Sequence, residues 1–261
     1  MDHTAVLTAY DQQIRRGADP EGPEGHIERT ARAVRHTSGA TGWNGVLWSD
    51  LDAATADAEI AGQVRHFAAL GREFEWKLYA HDLPADLPER LLAAGLTPEP
   101  PETLMVAEAA ALPTDVPPPD GVRLVPVTDE AGVRLMVAAH DQAFGTDGTA
   151  LGEQVLAQLR SAPDTIAAVV AMAGDTPVSS ARLEFRPGTD FAGLWGGGTV
   201  AAWRGRGVYR SLIAHRAALA VARGVRWLQV DASSDSRPIL RRLGFAELGT
   251  TTPYVYRPGA A

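Results

Sequence analysis

The stretch TVAAWRGRGVYRSLIAH, residues 199–215, decides the fold. Two arginines and two glycines alternate in it, Arg204-Gly205-Arg206-Gly207, directly before a segment whose apolar residues recur at helical spacing. The first turn of a helix carries unpaired N–H groups and the positive end of the helix dipole. Glycines let a ligand approach the backbone closely, and arginines add charge-assisted contacts to phosphate oxygens. The loop therefore predicts a site for a phosphorylated ligand.

Other phosphate-binding loops fit this stretch poorly. The Rossmann fingerprint needs a third glycine where Arg210 stands, and the Walker loop needs a Gly-Lys pair although the only lysine of the chain is Lys77. An Arg-Gly repeat of the RNA-binding kind is longer, and it is disordered rather than wedged between a strand and a helix. The loop is therefore interpreted as a cradle for a small phosphorylated ligand.

Composition narrows the class of protein. Lys and Arg number 24 against 32 Asp and Glu, so the net charge of −8 argues against a nucleic-acid partner and favours a cationic substrate. The chain has no cysteine, which excludes a thiol nucleophile, and no set of His, Asp and Glu has metal-ligand spacing, so no metal is predicted. The first residues lack a signal-peptide pattern, and the longest apolar run, 165–174, is far shorter than the roughly 20 residues of a membrane span. We expect a cytoplasmic protein without a membrane partner.

A proline-rich break divides the 261 residues. The segment ALPTDVPPPDGVRL, residues 111–124, contains four prolines and one glycine, which cannot continue a helix or a central strand. The predicted organisation is an N-terminal domain over 1–112, a linker over 113–120 and a C-terminal domain over 121–261.

Both halves have an α+β pattern. In the second half, a strand and two helices precede a three-strand meander over 165–200, and a helix, a strand, a short helix and a final strand follow the loop. The later part of the first half repeats this plan: LPERLLAAGLTPEP, residues 87–100, matches SRPILRRLGFAELG, residues 236–249, in its short helix and glycine stop. We interpret this as a degenerate internal duplication with two mixed, mostly antiparallel sheets flanked by helices.

The second half resembles the GNAT N-acetyltransferases over residues 121–257. The hallmark of that family, Arg/Gln-x-x-Gly-x-Gly/Ala, matches the residues from Arg204 to Tyr209, and LRRLGF, residues 240–245, is similar to the family's recurrent Leu-Gly-Phe ending. The resemblance implies that 121–261 is the catalytic domain and that 1–112 is a degenerate GNAT-like domain without the cofactor loop. It also implies acetyl-CoA as co-substrate, with its pyrophosphate on the loop and its pantetheine arm on the preceding strand edge. The cofactor-binding residues implied are Thr199, Val200, Arg204, Gly205, Arg206, Gly207, Val208, Tyr209 and Ser233.

The sequence departs from the family pattern at three positions. Tyr209 stands where the hallmark has a small residue, and Ser233 stands where the family frequently has asparagine. Leu240 takes the place of the tyrosine that often protonates the departing thiolate. The general acid is therefore unassigned, and Ser236 and Tyr209 are the candidates. Ser236 is alternatively the cap of the short helix.

Acetyl transfer to an amine needs a base and an acceptor site beside the thioester. Glu184, on the middle strand of the meander, is the candidate base, with a solvated strand residue as the alternative. His140 at the end of the first helix and Trp195 in GLWGGG are candidates for acceptor binding. A histidine favourably placed at a helix end and a core tryptophan are the corresponding structural explanations.

The function predicted from the sequence is transfer of an acetyl group from acetyl-CoA to a primary amine of a small molecule, by direct attack in a ternary complex. Two alternatives stay open: an acyl-CoA sensor or partner-binding module without turnover, and an N-acetyltransferase acting on proteins or peptides. Trp43, Trp48 and Trp76 lie in first-half strands and are interpreted as core or domain-interface residues. The first half could alternatively form a homodimer interface, because exposed tryptophan-rich strands often mark contacts.

Overall fold

A computed structural model describes residues 1–22, 24–39 and 42–259. The chain forms two compact units that are not continuous in sequence. Residues 1–104, 231–237 and those from Glu247 onward form unit 1, and residues 105–230 and 238–246 form unit 2. The C-terminal strand thus belongs to unit 1, although the proline-rich break predicted it in the second domain. The roles predicted for the two domains stay predictions.

Unit 1 has a five-strand path in the order β1-β2-β3-β4-β12. Pairing along it is antiparallel except between β3 and β4, which are parallel. Its elements are α1 (His3–Tyr10), a π-helical segment (Asp11–Arg16), β1 (His26–Arg29), β2 (Ala33–Thr37), β3 (Gly45–Ser49), α2 (Ala56–Ala69), β4 (Phe74–Tyr79), α3 (Leu87–Ala93), β5 (Thr97–Pro98) beside β12, and β12 (Ala246–Tyr256).

Unit 2 has the strand order β7-β8-β9-β10-β11, antiparallel except for the parallel pair β10 and β11. The predicted meander is therefore confirmed as β8, β9 and β10. The elements of unit 2 are β7 (Val122–Val127), α4 (Glu130–Phe144), α5 (Thr149–Ser161), β8 (Ile166–Ala173), β9 (Thr176–Phe185), β10 (Phe191–Thr199), α6 (Val208–Ala222), β11 (Trp227–Ala232), which ends in unit 1, and α7 (Arg237–Arg242). The strand β6 (Glu102–Glu108) contributes to both units.

The two units repeat one topology. In unit 1, the antiparallel pair β2 and β3 is followed by α2 and by β4, which is parallel to β3. In unit 2, the antiparallel pair β9 and β10 is followed by α6 and by β11, which is parallel to β10. This correspondence supports the internal duplication predicted from the sequence.

The sheet of unit 2 is covered on both faces. On one face, Val169 and Ala181 pack against Val208 and Leu212 of α6. On the other face, alternate residues of β8 pack against α4 and α5, in a buried cluster of Val127, Val133, Met136, Val155, Ile166, Ala168, Val170 and Met172. This alternation follows from the period of two along a strand, and it fixes which side chains of β9 and β10 face each helix layer.

Candidate active site

The predicted loop lies between β10 and α6, and its two glycines have left-handed backbones. The φ angles are 73° at Gly205 and 90° at Gly207, a region that other residues rarely adopt. Gly207 is the N-cap of α6, and no side chain caps the first turn of this helix. A Cβ at either glycine would meet no heavy atom within 4 Å. The N-terminus of α6 is therefore open to a ligand, as a cradle for an anion requires.

The two arginines of the loop have different partners. Arg204 donates from Nε to the carbonyl of Thr199 at 3.0 Å and from Nη2 to the carbonyl of Ala143 at 3.1 Å. The guanidinium of Arg206 lies 4.9 Å from the ring centroid of Trp203. Arg204 thus holds the loop against the end of β10, whereas Arg206 stacks on a half-buried indole. The predicted phosphate contacts of both side chains stay predictions.

β10 pairs with β11 over only the first part of its length. Pairing with β11 runs from Phe191, opposite Trp227, to Gly193, opposite Gln229, whereas β10 continues to Thr199. The pairing of β10 with β9 continues beyond this point to Thr199. Over its last residues β10 is therefore paired on the β9 side, while the described pairing with β11 has ended.

A β-bulge interrupts β10 on this stretch, beyond its pairing with β11. The register against β9 shifts between Trp195 and Gly198, and Gly196 inside the bulge has a φ of 57°. Beyond the bulge, Val200 donates its N–H to the carbonyl of Val178, so its backbone points toward β9. Because alternate residues point to opposite edges, the N–H and C=O of Thr199 face the other edge. The carbonyl of Thr199 accepts from Arg204, so it is the N–H of Thr199 that fits the predicted pantetheine contact, and it fits better than the backbone of Val200.

A polar group lies on the α4 face of the sheet, beside the point where β10 and β11 part. Arg182 and Glu184 lie opposite residues of β8 that pack on α4, and Glu184 accepts a hydrogen bond from Arg182 Nε at 3.3 Å. A Cβ at Gly193 would lie 2.5 Å from Trp195 Nε1 and 2.9 Å from Gln229 Nε2. The candidate base Glu184 and the candidate acceptor residue Trp195 therefore share one face. Sequence reasoning missed Arg182 and Gln229.

His140 lies at the end of α4. Its Nδ1 is 3.3 Å from an oxygen of Asp141, which also accepts the N–H of Gly148 at 2.8 Å. Its ring centroid is 4.7 Å from that of Phe144, and a Cβ at Gly198 would lie 2.4 Å from Phe144 Cε2. The structure thus places His140 one aromatic ring away from β10, on the face that carries Glu184. Its role in acceptor binding stays a prediction.

The opposite, α6 face of the bulge holds Tyr209 and a residue that sequence reasoning missed, Arg216. The buried residues of α6 include Val208, Leu212, Arg216 and Ala220, which recur every four positions. Helical spacing in the sequence also allows a stripe through His215 and Ala222, but in the structure His215 is half-buried and Ala222 is exposed. The sequence signal that could have identified Arg216 is its spacing: it lies four residues after Leu212 and four before Ala220, on the same side of the helix.

The two candidate serines lie in a tight turn of unit 1. Ser233 Oγ accepts the N–H of Ser236 at 3.4 Å, and the two hydroxyl oxygens are 3.3 Å apart. The N–H of Arg237 donates to the carbonyl of Ser233 at 2.9 Å, so this turn leads into α7. Leu240, at the family's usual tyrosine position, is fully buried in the structure. The roles of both serines stay predictions.

In unit 1 the corresponding strand-to-helix junction is built differently. No glycine occurs between Gly45 and Gly62, and the turn before α2 contains Asp52. Asp52 Oδ1 accepts the N–H groups of Ala54 and Thr55, both at 2.9 Å. The hydroxyl of Thr55, with these N–H groups, lowers the pKa of Asp52. A carboxylate of the chain therefore already fills the anion position of this turn.

Sequence comparison with known families gives no match, either to a family model or to a curated protein. Solved structures do match. A GCN5-related N-acetyltransferase from Kribbella flavida has a TM-score of 0.72 at 19% identity, over 99% of this chain and 96% of that one. One from Sphaerobacter thermophilus has a TM-score of 0.64 at 16% identity, over 98% and 93% of the two chains.

A third structure, a tandem GNAT protein from the clavulanic acid biosynthesis pathway, has a TM-score of 0.63 at 13% identity, over 100% of this chain and 97% of that one. Each of these likenesses extends over nearly the whole of both chains. The chain therefore has the α+β fold of the GNAT acetyltransferases in a tandem arrangement, which confirms the predicted fold.

The part of the chain that the structure describes lacks two other features. Within 1–22, 24–39 and 42–259, no three His, Asp or Glu side chains are grouped so that they could hold a metal ion. Across the same residues, no helix has the length and apolar character needed to cross a membrane. Trp76 is buried in the core of unit 1, as the core interpretation of the first-half tryptophans predicted.

Proposed function

We propose that the protein is an acetyl-CoA-dependent N-acetyltransferase whose unit 2 binds the cofactor and transfers the acetyl group to a primary amine of a small molecule. The observation that carries this proposal is the contrast between two helix N-termini. The first turn of α6 has no side-chain cap and follows two left-handed glycines. The turn before α2 is already occupied by the carboxylate of Asp52. Neither helix has a side-chain cap, but at α2 a carboxylate of the chain lies where an anion would bind, whereas the loop before α6 carries two glycines and two arginines, which favour a pyrophosphate.

A second feature of unit 1 supports assigning the cofactor to unit 2. The parallel pairing of β3 with β4 includes Gly45 and Val46, and Arg15 Nε donates to the carbonyl of the next residue, Leu47, at 3.0 Å. Arg15 is buried, and it binds both oxygens of Asp82 at 2.9 and 2.7 Å. A buried, ion-paired side chain therefore holds this carbonyl, whereas the carbonyl of Thr199 in unit 2 accepts from an exposed arginine, Arg204, which a ligand can displace. We expect one cofactor per chain, measured as the stoichiometry of CoA binding.

In unit 2 the chain supplies groups for each part of the reaction. The loop from Arg204 to Gly207 would hold the pyrophosphate, and the unpaired edge of β10 would hold the pantetheine arm. The acceptor amine would approach on the α4 face, where Glu184 accepts a hydrogen bond from Arg182. Glu184, directly or through water, would take the proton that the amine loses during attack on the thioester carbon. The net charge of −8 favours a cationic acceptor.

The experiment is thiol release from acetyl-CoA across a panel of polyamines, aminoglycosides, amino acids and short peptides. Turnover with one class of small amine, absent in the Gly207→Glu variant, is the expected result. Turnover with the peptides alone would instead support an acceptor on proteins. Glu184→Gln is the matched test of the base, because it retains the size of the side chain and removes its basicity. We expect its kcat to fall about a hundredfold or more at neutral pH.

A second function, acyl-CoA binding without turnover, is favoured by one specific observation. Leu240, at the position of the family's usual proton donor, is fully buried and carries no ionisable group. A sensor would bind CoA with a stoichiometry of one and release no thiol with any amine. Steady release of free CoA would exclude this alternative.

A further inference from the structure

Arg216 carries a buried charge without a carboxylate partner. Its side chain is 1% exposed, and it donates from Nε to the carbonyl of Leu212 and from Nη1 to the carbonyl of Arg182, both at 3.1 Å. Its Nη2 is buried and has no hydrogen-bond partner among the described residues. Burial lowers the pKa of Arg216 to about 10, so the group stays charged at neutral pH. A buried cation in this state is costly unless an anion faces it.

The group that faces Arg216 is Tyr209, two helical turns earlier on α6. A Cβ at Gly197, in the bulge of β10, would lie 2.9 Å from Tyr209 Cε2, 3.5 Å from Arg216 Nη2 and 3.7 Å from Tyr209 Oη. The phenol and the guanidinium therefore both lie within 4 Å of the space under the bulge that a side chain at position 197 would fill, without a hydrogen bond between them. The other charged or titratable groups that act on Arg216 are Arg182 of β9 and His215 of α6, and neither is an anion.

The electrostatics of the pair are reciprocal. Burial raises the pKa of Tyr209, and the charge of Arg216 opposes that increase. The charge of Arg216 is stabilised by an ionised Tyr209, as its pKa also reflects. The anion that Arg216 lacks is therefore one that Tyr209 would provide after losing its proton.

The pair also lies beside the part of the molecule where a thioester would be. Gly197 belongs to the stretch of β10 that lies beyond Gly193, the last residue paired with β11. Under the proposed function, on which this inference rests, the pantetheine arm follows that stretch toward the amine on the opposite face. Leu240 is unable to protonate the leaving group, so a donor must come from another element.

We propose that Tyr209 is the catalytic residue that protonates the departing thiolate, and that Arg216 is a positioning residue that stabilises the resulting phenolate. The amine nitrogen forms a bond with the thioester carbon, and the C–S bond breaks with its electron pair on sulfur. The sulfur then takes the proton of Tyr209 Oη, while the excess proton of the amine goes to Glu184 or water. Solvent water returns a proton to the phenolate before the next turnover.

The kinetic test uses Tyr209→Phe, Arg216→Met and the double variant. Methionine retains much of the length of arginine, and replacement of a buried unpaired charge by an apolar side chain need not unfold a protein. We expect kcat to fall about a hundredfold in Tyr209→Phe and about tenfold in Arg216→Met, because a positioned general acid contributes 10²-fold or more. KM for acetyl-CoA should change little. The double variant should have the same kcat as Tyr209→Phe alone, because the two residues act as a unit.

A second readout is independent of acetyl transfer. In protein labelled with ¹³C at tyrosine Cζ, the signal of Tyr209 is the one that Tyr209→Phe lacks. Its alkaline titration should begin at higher pH in Arg216→Met than in the wild type, and His215→Gln should leave it unchanged. Arg216→Gln serves as a second neutral variant if Arg216→Met does not fold.

The outcomes separate this inference from the proposed function. Failure of every amine to release thiol would overturn the acetyltransferase proposal, yet the shift in the Tyr209 titration would still establish the pair. An unchanged titration in both neutral variants would overturn the role of Arg216. Equal loss of activity from Arg216→Met with and without Tyr209 would do the same, because it would indicate a structural effect.

Discussion

The strongest test of the loop is a pair of substitutions at the two ends of α6. Gly207, before the helix, and Gly224, after it, have φ angles of 90° and 71°, and a Cβ at either one meets no heavy atom within 4 Å. Gly207→Glu and Gly224→Glu therefore impose a similar backbone strain of about 1–2 kcal/mol and add the same charge. Each should lower the melting temperature by about 2–8 °C. Only Gly207→Glu puts its carboxylate beside a pyrophosphate.

The expected loss of affinity follows from Coulomb's law. A carboxylate about 5 Å from one phosphate charge, at an effective dielectric constant of about 20, costs about 3 kcal/mol. This corresponds to a Kd for CoA about a hundredfold higher, measured by titration calorimetry. Part of the loss should disappear at 1 M salt, where the screening length is about 3 Å. Unchanged affinity in Gly207→Glu, or an equal loss in Gly224→Glu, would refute the placement of the pyrophosphate.

Three further predictions concern stability. Gly198→Ala places a Cβ 2.4 Å from Phe144 Cε2, so it should lower the free energy of unfolding by about 1–3 kcal/mol, and Phe144→Ala should relieve part of this loss in thermal unfolding. Lys77→Met removes the partner, 2.5 Å away, of the buried Asp231 carboxylate and should cost about 3–5 kcal/mol in urea unfolding, most of which Asp231→Leu should restore in the double variant. Burial raises the pKa of Glu102 from 4.5 to about 7, so the folded state binds a proton that the unfolded state has lost, and stability falls as pH rises from 4.5 to 7. At pH 8, the free energy of unfolding of Glu102→Gln should therefore exceed that of the wild type by about 1 kcal/mol after solvent screening, which a higher melting temperature would show. At pH 4 the melting temperatures of the two proteins should converge.

The parts of the fold that the sequence predicted are those specified by local signals. The alternating glycines fixed the strand-to-helix junction, because left-handed φ angles at Gly205 and Gly207 are needed there whatever lies elsewhere. The meander of unit 2 followed from turn residues and strand composition. The pairing of β12 with β4 could not be predicted in this way. Tyr254 lies opposite Trp76, and a contact across so many residues leaves no short-range pattern.

The residues of the candidate site also differ in whether local sequence signals could predict them. Glu184 and Trp195 could be proposed because each lies in a strand with a recognisable period. Their common face follows from a register that only the paired strands define. Arg216 was missed for a different reason: helical periodicity predicts which positions are buried, but it does not predict that a buried position keeps a charge. Only the structure reveals this exception, because it shows that Arg216 is buried and that its Nη2 has no hydrogen-bond partner among the described residues.

The two units together indicate how a duplicated fold could retain a single site. Both units have a strand, a helix and a parallel strand in the same order, so the order of the elements does not distinguish them. The distinction lies in the turn between strand and helix and at the edge of the strand. In unit 1, Asp52 supplies an anion to the turn before α2, and the buried Arg15 takes a carbonyl at the edge of β3. In unit 2 the corresponding turn has no such carboxylate, and the buried charge without an anion, Arg216, lies beneath the corresponding strand. The turn before α2 thus holds a carboxylate of its own chain, whereas under the proposed function the turn before α6 is left for an anionic ligand.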